Sequence, residues 1–212
     1  MDTKISILNI FYNSFKYLKL IAIIKLNILK FLKKGNLLIA EPSIIGDINF
    51  NRSVVLIVDH NELGSVGFIL NKKLNYSTSE LIPDLKYNFP IYNGGPVEKE
   101  NLYFIHCIPE LISNSLKIKN NIYWGGDFNR IIELINNEEI KSNQIKFFLG
   151  YSGWNETQLK SEIDSASWIL EKDEINRNLV FSNSGNVWKE KLIDLGGEYL
   201  IWSNSPDNPN HN

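Results

Sequence analysis

Two glycine pairs are the first candidates for chemistry in this sequence. They occur in "IYNGG" at 91–95 and "IYWGG" at 122–126, each after a short apolar run. Such loops bind phosphate when successive backbone N–H groups and a helix N-terminus face the anion. Pro96 removes a donor after the first pair, and Asp127 is predicted to cap a helix with its own negative charge after the second. We therefore interpret both pairs as sharp turns, with a ligand-lining loop as the alternative.

The segment "GYSGW" at 150–154 resembles the nucleophile elbow of serine hydrolases, G-x-S-x-G. Trp154 stands where that pattern requires a small residue. The only histidine that follows Ser152 is His211, in a polar terminal segment. The sequence therefore predicts a tight strand-to-helix turn, with Trp154 packed over the first turn of the next helix.

Two histidines have neighbours that suggest thiol or metal chemistry. His106 and Cys107 are adjacent in a predicted strand, where successive side chains point to opposite faces. This arrangement predicts a buried, inert thiol. His60 has Asp59 and Glu62 nearby but no second histidine at ligand spacing. We predict no metal site, no cofactor and no catalytic residue.

Arg52 and Glu162 leave two alternatives open. Arg52 begins a predicted buried strand, and Glu162 lies on the helix predicted after Trp154. The two side chains either form an internal ion pair, which we favour, or line a polar pocket.

Charge is distributed unevenly along the 212 residues. Residues 1–34 hold seven lysines and one aspartate, a net of +6, which leaves 15 basic and 23 acidic residues in 35–212, a net of −8. Nucleic acid is therefore an unfavourable partner for residues 35–212. The single cysteine fits a reducing compartment, and we predict a cytoplasmic location.

Three regions are predicted. Residues 1–34 have the pattern of a basic amphipathic helix that makes peripheral contact with an anionic membrane or an acidic partner. The longest apolar run, 20–24, is far shorter than the roughly 20 residues of a membrane span, so a transmembrane helix is not predicted. The alternatives are an ordinary packed helix or a dispensable extension. Residues 35–203 form one compact domain, and residues 204–212 form a polar, flexible tail.

Interleaved strands and helices predict an α/β fold with α+β character. Strands are predicted at 37–40, 53–58, 66–70, 102–107, 145–150, 168–170 and 179–181. Helices are predicted after the capping residues Ser77, Asp127 and Asn155, and a further helix at 187–195. The second and third strands should form an antiparallel hairpin within a mixed sheet that helices flank.

Several separated motifs of the domain resemble one known family. They are "GNLLIAEPSI…D…F.RSVVLIVDHNE.GS.GFILNK" at 35–72, "YNGGPV" at 92–97, "YWGGDF" at 123–128 and "FFLGYSGWNETQLKSEI…W" at 147–168. In this order they resemble the YqgE/AlgH family of small bacterial proteins, over residues 35–202. The resemblance implies an α/β fold around a mixed sheet and supplies no catalytic residue or cofactor. Some members are described as transcriptional regulators, but residues 35–212 show no helix-turn-helix signature and no basic face.

The motif positions define a candidate binding pocket. Its residues are Arg52, Ser53, His60, Asn71, Gly94, Gly95, Trp154, Gln158 and Glu162. Their shared role is either a pocket or the fold itself. We predict a non-enzymatic protein that binds a partner protein or a small ligand, with a regulatory role. The alternatives are an enzyme with its pocket near Arg52, His60, Trp154 and Glu162, and a transcriptional regulator that contacts DNA through the lysine-rich leader.

Overall fold

A computed structural model describes residues 32–44, 47–172 and 175–206. The predicted amphipathic helix lies outside the described residues, apart from its last three positions, and so do residues 207–212 of the predicted tail. The compact unit considered below begins at Lys33.

The described residues form ten strands and six helices. The strands are β1 (Leu37–Ala40), β2 (Val54–Asn61), β3 (Gly64–Ile69), β4 (Lys73–Ser77), β5 (Pro90–Asn93), β6 (Val97–His106), β7 (Leu116–Lys119), β8 (Ile122–Trp124), β9 (Ile145–Trp154) and β10 (Trp168–Glu171). The helices are α1 (Thr78–Leu81), α2 (Phe128–Asn136), α3 (Glu156–Asp164), α4 (Arg177–Val180), α5 (Val187–Leu195) and α6 (Tyr199–Ser203). The α/β class predicted from the sequence is confirmed.

The strands form one branched, mixed sheet. Its main path is β10-β1-β2-β3-β9-β6-β8-β7, and β4 and β5 branch from β9. The β5–β9 pair is parallel, and the remaining pairs in the described residues are antiparallel. The predicted hairpin of β2 and β3 is present. Val54 to Val58 are all buried, as expected for a β-branched run covered on both faces.

The branch point lies where three strands approach β9. Gly94 N–H donates to Leu149 O at 2.9 Å, and Gly94 O accepts from Ile69 N at 3.0 Å and from Ser152 Oγ at 3.0 Å. A Cβ atom on Gly94 would lie 2.2 Å from the carbonyl oxygen of Gly150. The first glycine pair therefore serves close backbone approach, in agreement with the turn interpretation.

The predicted turn at 150–154 is wrong, because β9 continues to Trp154. Gly150 has a φ of +67°, so it bends the strand instead of ending it. Beyond the bend, β9 pairs with β3. Ser152 lies opposite Gly67, and Trp154 lies opposite Ser65.

The predicted strand at 179–181 is also wrong. Its residues belong to or follow α4, which Asn176 caps by accepting a hydrogen bond from Asn178 N at 2.9 Å. Three apolar residues fit a short buried helix as well as a short strand, so the cap decides the outcome. The predicted caps Ser77, Asp127 and Asn155 all begin helices.

Replacing Gly94 with alanine should destabilise the fold by about 3 kcal/mol, because the added methyl overlaps backbone that cannot move independently. Gly185→Ala is the matched control, since nothing lies within 4 Å of a Cβ at that position. Urea unfolding measures both changes. Equal stability of the two variants would contradict the proposed crowding at the branch point.

Candidate functional site

The helix α3 positions one carboxylate over the sheet. Asn155 begins the helix by accepting a hydrogen bond from Gln158 N at 2.7 Å, and Leu159 and Ile163 bury its inner face. Gln158 Nε2 donates to Glu162 Oε1 at 3.0 Å, one helical turn further on. Glu162 is half-buried where the helix meets the strand ends.

Two tryptophans donate to the same carboxylate oxygen. The indole Nε1 atoms of Trp154 and Trp168 lie 2.8 Å and 2.7 Å from Glu162 Oε2. Both rings are buried, and Phe50 stacks on Trp154 at 5.6 Å and meets Trp168 edge-on at 5.2 Å. We call Phe50, Trp154, Gln158, Glu162 and Trp168 the indole–carboxylate cluster. Hydrogen bonds to a charged acceptor are roughly twice as strong as neutral ones, so the cluster fixes α3 to β9 and β10.

The prediction that Arg52 and Glu162 form an ion pair is wrong. The Arg52 guanidinium lies 5.2 Å from the Trp188 ring centroid and donates to the carbonyl oxygens of Ser205 at 3.2 Å and Pro206 at 2.6 Å. Arg52 therefore holds the chain after α6, while Glu162 binds the two indoles.

Ser53 and Asn71 hold the turn that contains Arg52. Asn71 Nδ2 donates to Arg52 O at 2.8 Å, and Asn71 Oδ1 accepts from Val54 N at 2.9 Å. Ser53 Oγ donates to Phe50 O at 2.7 Å. The left-handed φ of +55° at Arg52 is thus fixed by side chains on both sides. The polar atoms of Ser53 and Asn71 act on the backbone.

A surface pocket of about 230 Å³ lies where the β2–β3 turn meets the end of β9. It is lined by Asp59, Asn61, Leu63, Gly64, Ser65, Val66, Tyr151, Gly153 and Trp154. We call it the β3–β9 pocket. His60 Nδ1 lies 2.8 Å from Ser65 Oγ and fixes the hydroxyl of this pocket residue.

The structure therefore divides the predicted site into separate groups. Trp154, Gln158 and Glu162 meet in the indole–carboxylate cluster. Arg52, Ser53 and Asn71 share one turn, Gly94 and Gly95 lie at the branch point, and His60 lies behind Ser65. Trp154 connects two of these regions, because it belongs to the cluster and lines the pocket.

Ser152, His106 and Cys107 are all buried. Ser152 Oγ donates to the Gly94 carbonyl, so no base activates it. Burial lowers the pKa of His106, and its Nε2 atom lies 3.2 Å from Gly125 O. Burial raises the pKa of the Cys107 thiol, whose Sγ donates to Gln144 O at 3.5 Å. The predicted burial of the thiol is confirmed, and its raised pKa favours the protonated form.

Among the described residues, no group of three or more His, Cys, Asp or Glu side chains is placed to hold a metal ion. No helix in the same part of the chain is long and apolar enough to cross a membrane.

Sequence reasoning missed a buried lysine in β9. Lys146 is 4% exposed, and its Nζ donates to Ser182 O at 2.6 Å and Val180 O at 3.2 Å. The ammonium also lies 4.0 Å from the centroid of the Tyr92 ring. Burial lowers the pKa of Lys146 to about 7. A lysine inside the apolar run "IKFF" at 145–148 was the available signal, because lysine is almost never fully buried without partners.

Comparison with known proteins identifies the family. The model of the family described as AlgH-like matches residues 37–200, which is most of the described domain. The chain belongs to the AlgH-like family. The resemblance read from the sequence motifs is thereby confirmed.

Relatives of this AlgH-like protein come from several bacteria. A UPF0301 protein of Bacteroides fragilis is 41% identical over 181 residues, which cover 84% of this chain and 91% of the relative. A UPF0301 protein of Bacteroides thetaiotaomicron is 38% identical over 181 residues, with the same shares covered.

Two solved structures share the fold of the AlgH-like chain. The solution structure of the AlgH protein from Pseudomonas aeruginosa has a TM-score of 0.62 at 22% identity, covering 82% of this chain and 94% of that one. A crystal structure of a Corynebacterium diphtheriae protein has a TM-score of 0.67 at 21% identity, covering 82% and 93%.

Glu162→Gln should destabilise the protein by about 2 kcal/mol, because both indoles then donate to a neutral acceptor and one carboxylate oxygen becomes an amide donor. Glu156→Gln, an exposed change in the first turn of the same helix, should cost less than about 0.5 kcal/mol. Urea unfolding followed by tryptophan fluorescence measures both. If the two variants unfold at the same midpoint, the cluster does not hold α3.

Lys146 should make stability depend on pH above neutrality. Its pKa is about 7 in the folded state, whereas an unfolded lysine titrates near 10.4. Between these values the unfolded chain binds a proton that the folded chain does not. The free energy of unfolding should therefore rise by up to about 1.4 kcal/mol per pH unit, and this contribution is constant below the folded pKa.

Urea unfolding of the unmodified chain, Lys146→Met and Lys160→Met at pH values from about 7 to 9 isolates this effect. Lys160 is exposed on α3 and serves as the control. Lys146→Met should flatten the pH dependence, and Lys160→Met should preserve it. Parallel curves for all three proteins would show that Lys146 keeps its proton in the folded state.

Proposed function

We propose that this AlgH-like protein is a non-enzymatic binding protein that acts in the cytoplasm on a small ligand or a partner protein, with a regulatory outcome. The β3–β9 pocket carries this proposal. Its lining brings the polar residues Asp59, Asn61 and Ser65 together with the aromatic residues Tyr151 and Trp154. A few polar groups among apolar and aromatic side chains are typical of ligand sites.

The partners of the candidate catalytic groups support a binding role over catalysis. Glu162 is hydrogen-bonded to two indoles, Asn71 to the backbone, and the Nδ1 atom of His60 to Ser65. Nucleophilic catalysis requires a nucleophile, a base and an orienting group within mutual hydrogen-bond reach. In the described residues His60 and Ser65 lie within such reach, but Glu162 and Asn71 contact other partners and do not orient the imidazole.

The charge of the domain supports a protein or small-molecule partner over nucleic acid. Residues 35–212 carry 15 basic and 23 acidic side chains. A phosphate backbone would be repelled by a domain with this net charge of −8. The single cysteine supports the cytoplasmic location.

A thermal-shift screen of the full chain with nucleotides, common anions, divalent metals and central metabolites tests the pocket. A ligand at about 100 times its Kd should add roughly 2.7 kcal/mol to the free energy of unfolding. Gly153→Leu should remove the shift, because the new side chain starts in the pocket lining and its Cβ meets only the movable side chains of Tyr151 and Val97.

Gly185→Leu is the matched control, because it makes the same change in open space outside the pocket lining. It should respond to the ligand as the unmodified chain does. An undiminished shift in Gly153→Leu would place the ligand elsewhere. Conversion of the ligand to product by the purified chain would contradict a non-enzymatic role.

A further inference from the structure

The strand β10 leaves one edge of the sheet open within the described residues. It is the terminal strand of the main path and pairs with β1 alone in that part of the chain. Glu41 N donates to Ser167 O at 3.0 Å, so the backbone carbonyl of Ser167 points toward the β1 side. In an antiparallel ladder this orientation alternates, so Ile169 and Glu171 also direct their backbone groups to β1. The N–H and C=O groups of Trp168 and Leu170 therefore point away from the sheet.

A cleft runs beside this open edge. It has a volume of about 390 Å³ and lies between β10 and α5. Its lining consists of Ile39, Ile169, Leu170, Glu171, Lys172, Lys191, Asp194 and Leu195. We call it the edge cleft. None of its residues lines the β3–β9 pocket, so the two surfaces are separate sites.

Two carboxylates in the edge cleft share one lysine. Lys191 Nζ lies 2.8 Å from Glu171 Oε1 and 3.6 Å from Asp194 Oδ2. The other oxygen of Glu171, Oε2, is buried and has no hydrogen-bond donor among the described residues. The lining also contains a second lysine, Lys172. A carboxylate oxygen without a donor is a cost to the folded chain that an incoming N–H group would offset.

We propose that the edge cleft binds an extended segment of a partner protein that carries a basic side chain. The segment adds a strand to the sheet by hydrogen bonding to the outward backbone groups of Trp168 and Leu170. Alternate side chains of an added strand face the same way, so an apolar one contacts Ile169 and Leu195 while a basic one donates to Glu171. The open edge supplies binding that is independent of sequence, and the Glu171 carboxylate, which has one oxygen without a donor among the described residues, favours a basic side chain over an acidic one.

Hydrogen exchange of the full chain tests the open edge without any ligand. The amides of Trp168 and Leu170 should exchange about a hundredfold faster than those of Ile169 and Glu171, which donate to β1. Equal protection of all four amides would show that the edge is already covered, and the proposal would be wrong.

Titration with a designed peptide tests the charge selection. The probe is acetyl-Val-Thr-Val-Arg-Val-Thr-Val-amide, and its matched control has glutamate in place of arginine. The arginine peptide should shift the amide resonances of Trp168 and Leu170 at up to millimolar concentration, and the glutamate peptide should bind about tenfold more weakly or less. The absence of shifts with the arginine peptide, or equal binding of the two, would overturn the proposal.

Three variants connect the peptide to the named groups. Leu170→Pro removes one outward N–H without touching the ladder to β1, and it should abolish binding, whereas Leu170→Ala should preserve it. Glu171→Gln should weaken binding of the arginine peptide about tenfold. Glu190→Gln, an exposed change on α5 outside the cleft, should have no effect. Undiminished binding by Leu170→Pro would exclude strand addition.

Light scattering of the full chain tests whether a second copy of the chain, and not a partner protein, occupies the edge. The chain without peptide should have the same mass throughout the concentration range of the titration. If it instead dimerises, and Leu170→Pro abolishes dimerisation, the edge is occupied by a second copy and the proposed partner is wrong.

Discussion

Two hydrogen bonds from indoles to Glu162 connect β9 with β10, an edge strand of the sheet. Trp154 ends β9 and Trp168 begins β10, and three strands lie between them in the sheet order. One carboxylate on α3 reaches both. The helix therefore crosses this half of the sheet and sets the distance between its outer strands. Because the acceptor is charged and only half-buried, it gains strong hydrogen bonds without the full cost of burying an ion.

Both proposed binding surfaces depend on this cluster. Trp154, whose indole Glu162 holds, is also one of the residues that line the β3–β9 pocket. Trp168 begins the strand that lines the edge cleft, and Phe50 extends the cluster into the loop before β2. A change in the position of α3 would therefore alter the wall of the pocket and the start of the open edge together. Both proposed surfaces are therefore supported by α3 and its carboxylate, as a proposed role in presenting a fixed shape requires.

The sequence predicted the elements with strong local signals and missed those that depend on distant partners. Asn155 and Asp127 begin helices because a capping side chain acts within its own turn. The run through Val54 to Val58 was recognisable because every residue in it is apolar and β-branched or leucine. In contrast, β7 and β8 are only three or four residues long and are defined by their pairing.

The candidate site was predicted in part for the same reason. Gln158 and Glu162 lie one turn apart on α3, Trp154 ends β9 just before that helix, and the three side chains do meet. Trp168 was assigned only to a strand, because no local pattern places its indole on a helix six residues earlier. The partners of Arg52 are more than 150 residues away in the sequence. Local spacing cannot select among such distant partners, which is why an ion pair with Glu162 was favoured.

The central place of β9 also determines when the fold can form during synthesis. The strands β3, β5 and β6 all pair with β9, which begins at residue 145. These three strands are synthesised earlier and lack this partner until β9 has been synthesised. β1 waits even longer for its pairing with β10. Such long-range pairing makes folding slow and leaves apolar strand edges exposed on the nascent chain. At 5 to 20 residues per second, roughly four to seventeen seconds separate the completion of β3 from that of β9 at the ribosome. During that interval the incomplete sheet is a natural substrate for chaperones.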